Sequence, residues 1–238
     1  MRRFDVCNGD ADGLCAVRQW RLHEPAEATL VTGLKRDIEL LGRVDARAGD
    51  ELLVCDVSLD RNRAALLALL QRGVRVRWFD HHAAGTLPSH PGLEATIDTA
   101  GDTCTSLLVD RALGGAQRAW AIVGAYGDNL VRAADALADG MGLDTEAAAT
   151  LRRLGEAINY NAYGDDERDV RIAPAALYGV LARHRDPLAA AREPIALELT
   201  AQREADLARA RAVAPAHASA RAAVHRLPDA AWARRVAG

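Results

Sequence analysis

Over the first third of the chain, short apolar runs alternate with stretches in which apolar residues recur at helical spacing. Residues 3–7 read as a strand, and 13–23 as a helix with Leu14, Val17 and Trp20 or Leu22 along one side. Residues 28–32 read as a second strand and 37–44 as a short helix. Within 51–57 the run Leu52-Leu53-Val54-Cys55 is apolar without interruption, the pattern of a parallel strand covered on both faces. A helix over 61–71 is closed by Gly73, and residues 74–79 form the fourth strand. After a loop rich in Gly, Pro and His (83–92), residues 94–97 read as a fifth. This order predicts an α/β fold: a doubly wound, mostly parallel five-stranded sheet flanked by helices and joined by right-handed crossovers. Residues 103–113, 116–126, 145–158, 174–184 and 195–213 carry helical patterns, so an α-helical segment is expected to follow the sheet. Pro215 marks a change of character, and 223–226 read as the opening of a strand. One unit is therefore drawn over 1–213, and the start of a second over 214–238.

Composition narrows the choice of function. Half of the 238 residues are hydrophobic, enough for a core, while aromatics are scarce and Ala and Arg abundant, which favours helices. A net charge of −3 argues against broad electrostatic adhesion to nucleic acid but leaves room for a local basic groove. Lys35 is the only lysine, so Arg carries nearly all positive charge; Arg binds phosphate bidentately, but compositional bias is the favoured explanation. The four cysteines form no CxxC pair, and Cys7 and Cys55 lie in apolar runs, as small buried hydrophobes of a reducing compartment would. No apolar stretch approaches the ~18 residues of a membrane span. Met1-Arg2-Arg3 leads straight into a strand rather than into a signal-peptide core, so a cytoplasmic protein with no membrane partner is expected.

The acidic residues that look least like surface charge gather where the apolar runs end. Asn8-Gly9-Asp10-Ala11-Asp12-Gly13 follows the first strand, Asp56 closes the third, and Asp80-His81-His82 follows the fourth. Gly127-Asp128-Asn129 ends a helix, and Asp102 precedes another. Carboxylates and imidazoles at the carboxyl ends of parallel strands can converge, and oxygen ligands mixed with His suit a divalent ion such as Mn²⁺. The first motif superficially matches a calcium-binding EF-hand loop, but that loop needs a preceding helix and a Glu at its twelfth position, where Gln19 stands. A strand-to-helix turn instead sends Asp10 and Asp12 to one side, although these acids could simply cap the first helix. Asp56 would be costly to bury unpartnered, and bound cations would supply the partner. His23, His90, His184, His217 and His225 are isolated and receive no role.

Taken together and in this order, Asn8-Gly9-Asp10-Ala11-Asp12-Gly13, Asp56, Asp80-His81-His82 and Gly127-Asp128 resemble the DHH phosphoesterase superfamily, RecJ-like and oligoribonuclease-like members included. The resemblance covers roughly residues 1–210. It implies two divalent metal ions, Mn²⁺ first and Mg²⁺ second, with Asp10 and Asp12 holding one each and Asp56 bridging them. His81 and Asp128 would complete the second ion's ligands, His82 would face the scissile phosphate, and Asp80 would orient the imidazoles. Asn8 falls where the exonuclease-like branch often has an Asp, so it would either coordinate through its carbonyl oxygen or leave the first ion more weakly held. The implied chemistry is in-line attack on phosphorus by a water acidified between two ions about 3.5–4 Å apart. The implied substrate is a nucleotide or short single-stranded nucleic acid, with Arg36 or Arg132 as candidates for a second phosphate. A pyrophosphatase is disfavoured because Val6 stands near the place of that branch's early His. Relatives carry a C-terminal domain with a Gly-rich segment ending in His, which is not found here, so a catalytic domain lacking most of that unit is expected. The alternative is a catalytically impaired metal- or nucleotide-binding module that retains the fold, for which Asn8 and the short C-terminal stretch speak.

Overall fold

A computed structural model describes residues 1–237. Five parallel strands, β1 (Arg3–Asn8), β2 (Thr29–Gly33), β3 (Glu51–Cys55), β4 (Arg75–Asp80) and β5 (Leu93–Ile97), stand in the order β2-β1-β3-β4-β5. Alternate residues divide between two cores, as the pleat requires. Phe4, Val6, Leu52, Val54, Val76 and Trp78 face one side, where α2 (Leu59–Gln71) covers them. Cys7, Leu53, Cys55 and Phe79 face the other, under α1 (Ala11–His23), α3 (Thr105–Ala112), α4 (Arg118–Gly127) and α6 (Thr145–Ala162). This double coverage accounts for the unbroken apolar run in β3. On the second face Asp5 of β1 is buried and held by Arg21 of α1 through paired contacts of 2.6 and 2.8 Å.

The chain passes from β1 to β2 on one side and then crosses to β3 on the other. Connections leaving β1 and β3 therefore run to opposite faces, and a crevice opens at the carboxyl ends between them. That crevice collects the residues that follow the strands.

The helical side is tightly packed around α4. A Cβ placed on Gly127 would lie 2.3 Å from the Ala11 side chain, and one on Gly155 would lie 2.2 Å from the Val123 carbonyl oxygen. Backbones of α1, α4 and α6 thus approach one another with no room for a methyl group, and the end of α4 is pressed against the start of α1. Asp128 reaches the β1–α1 turn in this way.

Several boundaries differ from those the pattern predicts. The short helix expected over 37–44 shrinks to a single 3₁₀ turn, Leu40–Arg43. Side chains compete with the helical ladder: Asp37 folds back to accept from the Leu34 amide at 3.0 Å, and Asn62 of α2 takes the Leu41 amide at 3.1 Å. An additional helix, α5 (Val131–Gly140), fills the interval before α6. Further on lie α7 (Pro174–Leu181), the four-residue α8 (Pro187–Ala190) and α9 (Pro194–Arg211). The strand expected over 223–226 is reduced to Ala223–Val224, paired antiparallel with His217–Ala218, all four residues exposed. A last helix, α10 (Ala231–Ala237), folds back on α9: Trp232 sits 4.2 Å beneath the Arg209 guanidinium, and Arg235 pairs with Asp206 at 3.2 Å. No helix among the described residues is long and apolar enough to cross a membrane.

The close approach of α4 and α6 makes a testable demand. Gly155→Ala is expected to destabilise the protein by about 1–3 kcal/mol in chemical denaturation, because the Val123 carbonyl is backbone and moves only with its helix. Gly179→Ala, in α7 where nothing lies within 4 Å of the added methyl, is expected to be neutral or to stabilise by about 0.4–1 kcal/mol. Equal effects at the two positions would refute the packing account.

Candidate metal centre and active site

Each acidic residue of the crevice is placed by its own local structure. Asp10 caps α1, its Oδ1 accepting the Gly13 amide at 3.1 Å while Oδ2 receives the Lys35 ammonium at 2.6 Å. The capping reading of the first motif is therefore realised in Asp10. Asp12 sits two residues further on, buried at 1% exposure, and accepts the amides of Thr105 at 2.8 Å and Ser106 at 2.6 Å. Those amides are unsatisfied donors at the start of α3, where backbone polarity favours an anion. Asn8 turns its Oδ1 back to accept the Asp10 amide at 3.2 Å and donates to the Lys35 carbonyl at 3.4 Å.

Asp56 follows β3 with a φ of +57°, a left-handed conformation that a non-glycine residue adopts only at a cost of about 1–3 kcal/mol. Its amide donates to the Phe79 carbonyl at 3.0 Å, which pins the strained turn. The strain directs the carboxylate into the crevice, where the Thr105 hydroxyl lies at 3.5 Å and His81 Nε2 at 3.4 Å. Asp128, at the end of α4, approaches His81 Nε2 at 3.8 Å, and Asp12 approaches the same nitrogen at 3.9 Å. Asn129 beside it also has a positive φ, +60°. Asp80, fully buried, accepts the His81 amide at 2.9 Å and meets His82 Nδ1 at 2.7 Å. His82 is half-exposed, and with Nδ1 engaged its Nε2 is the nitrogen left for a ligand.

Ligand atoms of Asp12, His81 and Asp128 lie within 4.8 Å of one another, as do those of Asp56, His81 and His82. His81 belongs to both groups. Burial, together with the charges of Asp10 and Asp12, pushes the Asp56 carboxyl well above the usual range. Burial and Asp12 push Asp128 up to about 7. Burial works against charge on His81, but Asp56, Asp12 and Asp128 outweigh it and raise His81 to about 10. The hydrogen bond to Asp80 raises His82. Asp10 moves the other way: burial works to raise it, but the Lys35 ammonium outweighs burial and lowers it. Upward displacement of two carboxyls and an imidazole is what buried, crowded negative charge produces. Oxygen donors with one or two imidazoles fit a divalent ion, either at Asp12, His81 and Asp128 or at Asp56, His81 and His82. The four cysteines are buried and unpaired, with burial raising each thiol, so none offers a thiolate.

The structure thus brings Asp10, Asp12, Asp56, Asp80, His81, His82 and Asp128 together, with Asn8 at the edge. It leaves Asp102 exposed before α3, Arg36 paired with Asp165 on the surface, and Arg132 exposed. Sequence reasoning did not place Lys35, Asn159, Thr105 or Ser106. Lys35 carried one signal, its uniqueness; the others carried none, since their roles arise from helices remote in sequence.

No protein-family model matches the chain, and no curated protein matches it. Among solved structures, an exonuclease RecJ bound to manganese superposes with a TM-score of 0.56 at 22% identity, covering 88% of this chain and 64% of that one. The DHH domain of a protein assigned to a ribosomal-protein family gives 0.54 at 15% identity, covering 88% and 58%. The chain spans less than two thirds of the length of each. The five-stranded parallel sheet and its helices share the fold of these two structures.

Proposed function

We propose that this protein is a metal-dependent phosphoesterase acting on phosphate esters of nucleotides or of short single-stranded nucleic acid. The observation that carries the reading is His81 Nε2 lying within 3.9 Å of three carboxylates from three separate elements, Asp12, Asp56 and Asp128. Folding brings like charges this close at a cost, and a divalent ion offsets it. The likeness in fold to an exonuclease bound to manganese supports Mn²⁺ as the ion and nucleic acid as the substrate class.

Asp12, Asp56, His81 and Asp128 would hold the ion. When bound, it supplies an acidified water and neutralises charge on the phosphoryl oxygens. The chain's own contributions are legible in its hydrogen bonds. The α3 amides fix the Asp12 carboxylate, and the strained backbone at Asp56 aims its oxygens. Asp80 fixes the His82 ring and favours its charged form, so Nε2 presents a proton to a phosphoryl or leaving-group oxygen. Half-exposure of His82 gives it access to a substrate too large to be enclosed, such as a strand end.

Hydrolysis of bis-p-nitrophenyl phosphate and of end-labelled oligonucleotides, with Mn²⁺ and with chelator, tests this directly. Asp56→Asn tolerates the left-handed backbone and should abolish Mn²⁺-dependent turnover. His82→Ala should lower kcat by about 10²–10³ while leaving Mn²⁺ binding intact. A wild type inactive on every substrate, yet binding Mn²⁺, would leave the impaired binding module instead.

The displaced titrations predict how stability depends on pH. Asp56, Asp128 and His81 all have folded-state values raised above their ordinary ones, so each contributes stability at low pH that is lost as pH rises through the raised value. Asp10, lowered, contributes the opposite slope only below the ordinary carboxylate range. Between about pH 5 and 9 the chelated protein should therefore melt at progressively lower temperature, with Asp128→Asn flattening the part up to about pH 7. Because ion and proton compete for the same atoms, the rise in Tm on adding Mn²⁺ should be larger at pH 8 than at pH 5.5. An equal rise at both would remove these groups from the ion's ligands.

A further inference from the structure

The pair of ions that the resemblance implies requires Asp10 as a ligand, and Asp10 is already engaged. Its Oδ1 accepts the Gly13 amide at 3.1 Å and its Oδ2 the Lys35 ammonium at 2.6 Å. Neither group of mutually close His and acidic donors described above contains Asp10. Asn8, where relatives often place a carboxylate, offers a neutral amide whose oxygen is turned to the Asp10 amide.

Lys35 is held in place from several directions. It follows β2, its backbone amide donates to the Ala162 carbonyl at 3.1 Å, and its Nζ donates to Asn159 Oδ1 at 3.2 Å. The ammonium also lies 5.3 Å from the centre of the Tyr163 ring. Burial works against its charge, but Asp10 outweighs burial and keeps Lys35 charged. A fixed ammonium at this distance from Asp10 repels a divalent ion approaching the same carboxylate. Two of its three N–H groups are committed, and Lys35 lines a cavity of about 240 Å³ that Asp56, His81, His82 and Asp128 also line.

We propose that the Lys35 ammonium stands in for one of the two cations, so that the site takes a single divalent ion on Asp12, Asp56, His81 and Asp128. Lys35 then supplies the second positive charge that a phosphoryl oxygen meets. This rests on reading the site as that of a metal-dependent phosphoesterase, and it assigns the one lysine of the chain to substrate contact.

Counting ions in the full chain decides the matter. The protein is loaded with excess Mn²⁺, desalted and measured by native mass spectrometry, with electron paramagnetic resonance on the same samples. The wild type should carry one ion and give the spectrum of an isolated Mn²⁺. Lys35→Ala should free Asp10, admit a second ion and give an exchange-coupled spectrum, whereas Lys35→Arg should stay at one. Lys35→Met keeps the stem without the charge and replaces the alanine variant should that fail to fold, with circular dichroism reporting on folding. Two ions in the wild type, or one in the neutral variants, would overturn the proposal while leaving the phosphoesterase reading in place. No ion in the wild type would sink both.

Discussion

Negative charge buried in a crevice is the constraint around which the rest of the molecule is arranged. Asp10, Asp12 and Asp56 are almost wholly removed from water, and Asp128 lies beside them. Carboxylates in that position repel one another through a medium that screens them poorly, so the fold needs positive charge or protons there. The raised titrations of Asp56, Asp128 and His81 express that need within the chain alone, and the Lys35–Asp10 pair meets part of it. A sequence selected only for stability would replace such acids with apolar residues. Their presence together in one crevice is the physical reason for reading it as a place of chemistry.

Positions in the crevice follow from the order of the strands. Crossing over between β1 and β3 parts the two connections and leaves their first residues facing an open space. Helix starts then do the finer positioning: α1 takes Asp10 as its cap, and α3 takes Asp12 as a counter-charge for its unsatisfied amides. Asp56 has no helix to steady it and is aimed by a strained backbone instead. The contact of α4 with α1, free of side chains at Gly127, brings Asp128 into range of His81.

Charge is distributed unevenly across the site. One half, around Asp10, is saturated by Lys35, Asn159 and the Gly13 amide. The other, around His81, holds oxygens of Asp12, Asp56 and Asp128 at 3.4–3.9 Å from the one imidazole nitrogen they share. Departure from the resemblance is concentrated in the first half, since Asn8 and Lys35 both belong to it. His82 stands outside, held by Asp80 and open to solvent, where a reacting group would arrive.

The sequence by itself determined the parallel five-stranded sheet and the strand ends that carry the acids, and it singled out Asp10, Asp12, Asp56, Asp80, His81, His82 and Asp128, which the fold brings together. Those were legible because period and chemistry are local: a doubly covered strand shows as an unbroken apolar run, and an acid after such a run is conspicuous. The helix expected over 37–44 was lost where a side chain from elsewhere took a backbone donor, as Asn62 does at Leu41. Only the tertiary structure decided what each acid faces. Lys35 meets Asp10 across a gap of 25 positions, and Thr105 and Ser106 meet Asp12 across 93 and 94. Nothing in the local pattern encodes such pairings, because they depend on where the crossovers deliver β2 and α3 relative to the first turn of α1.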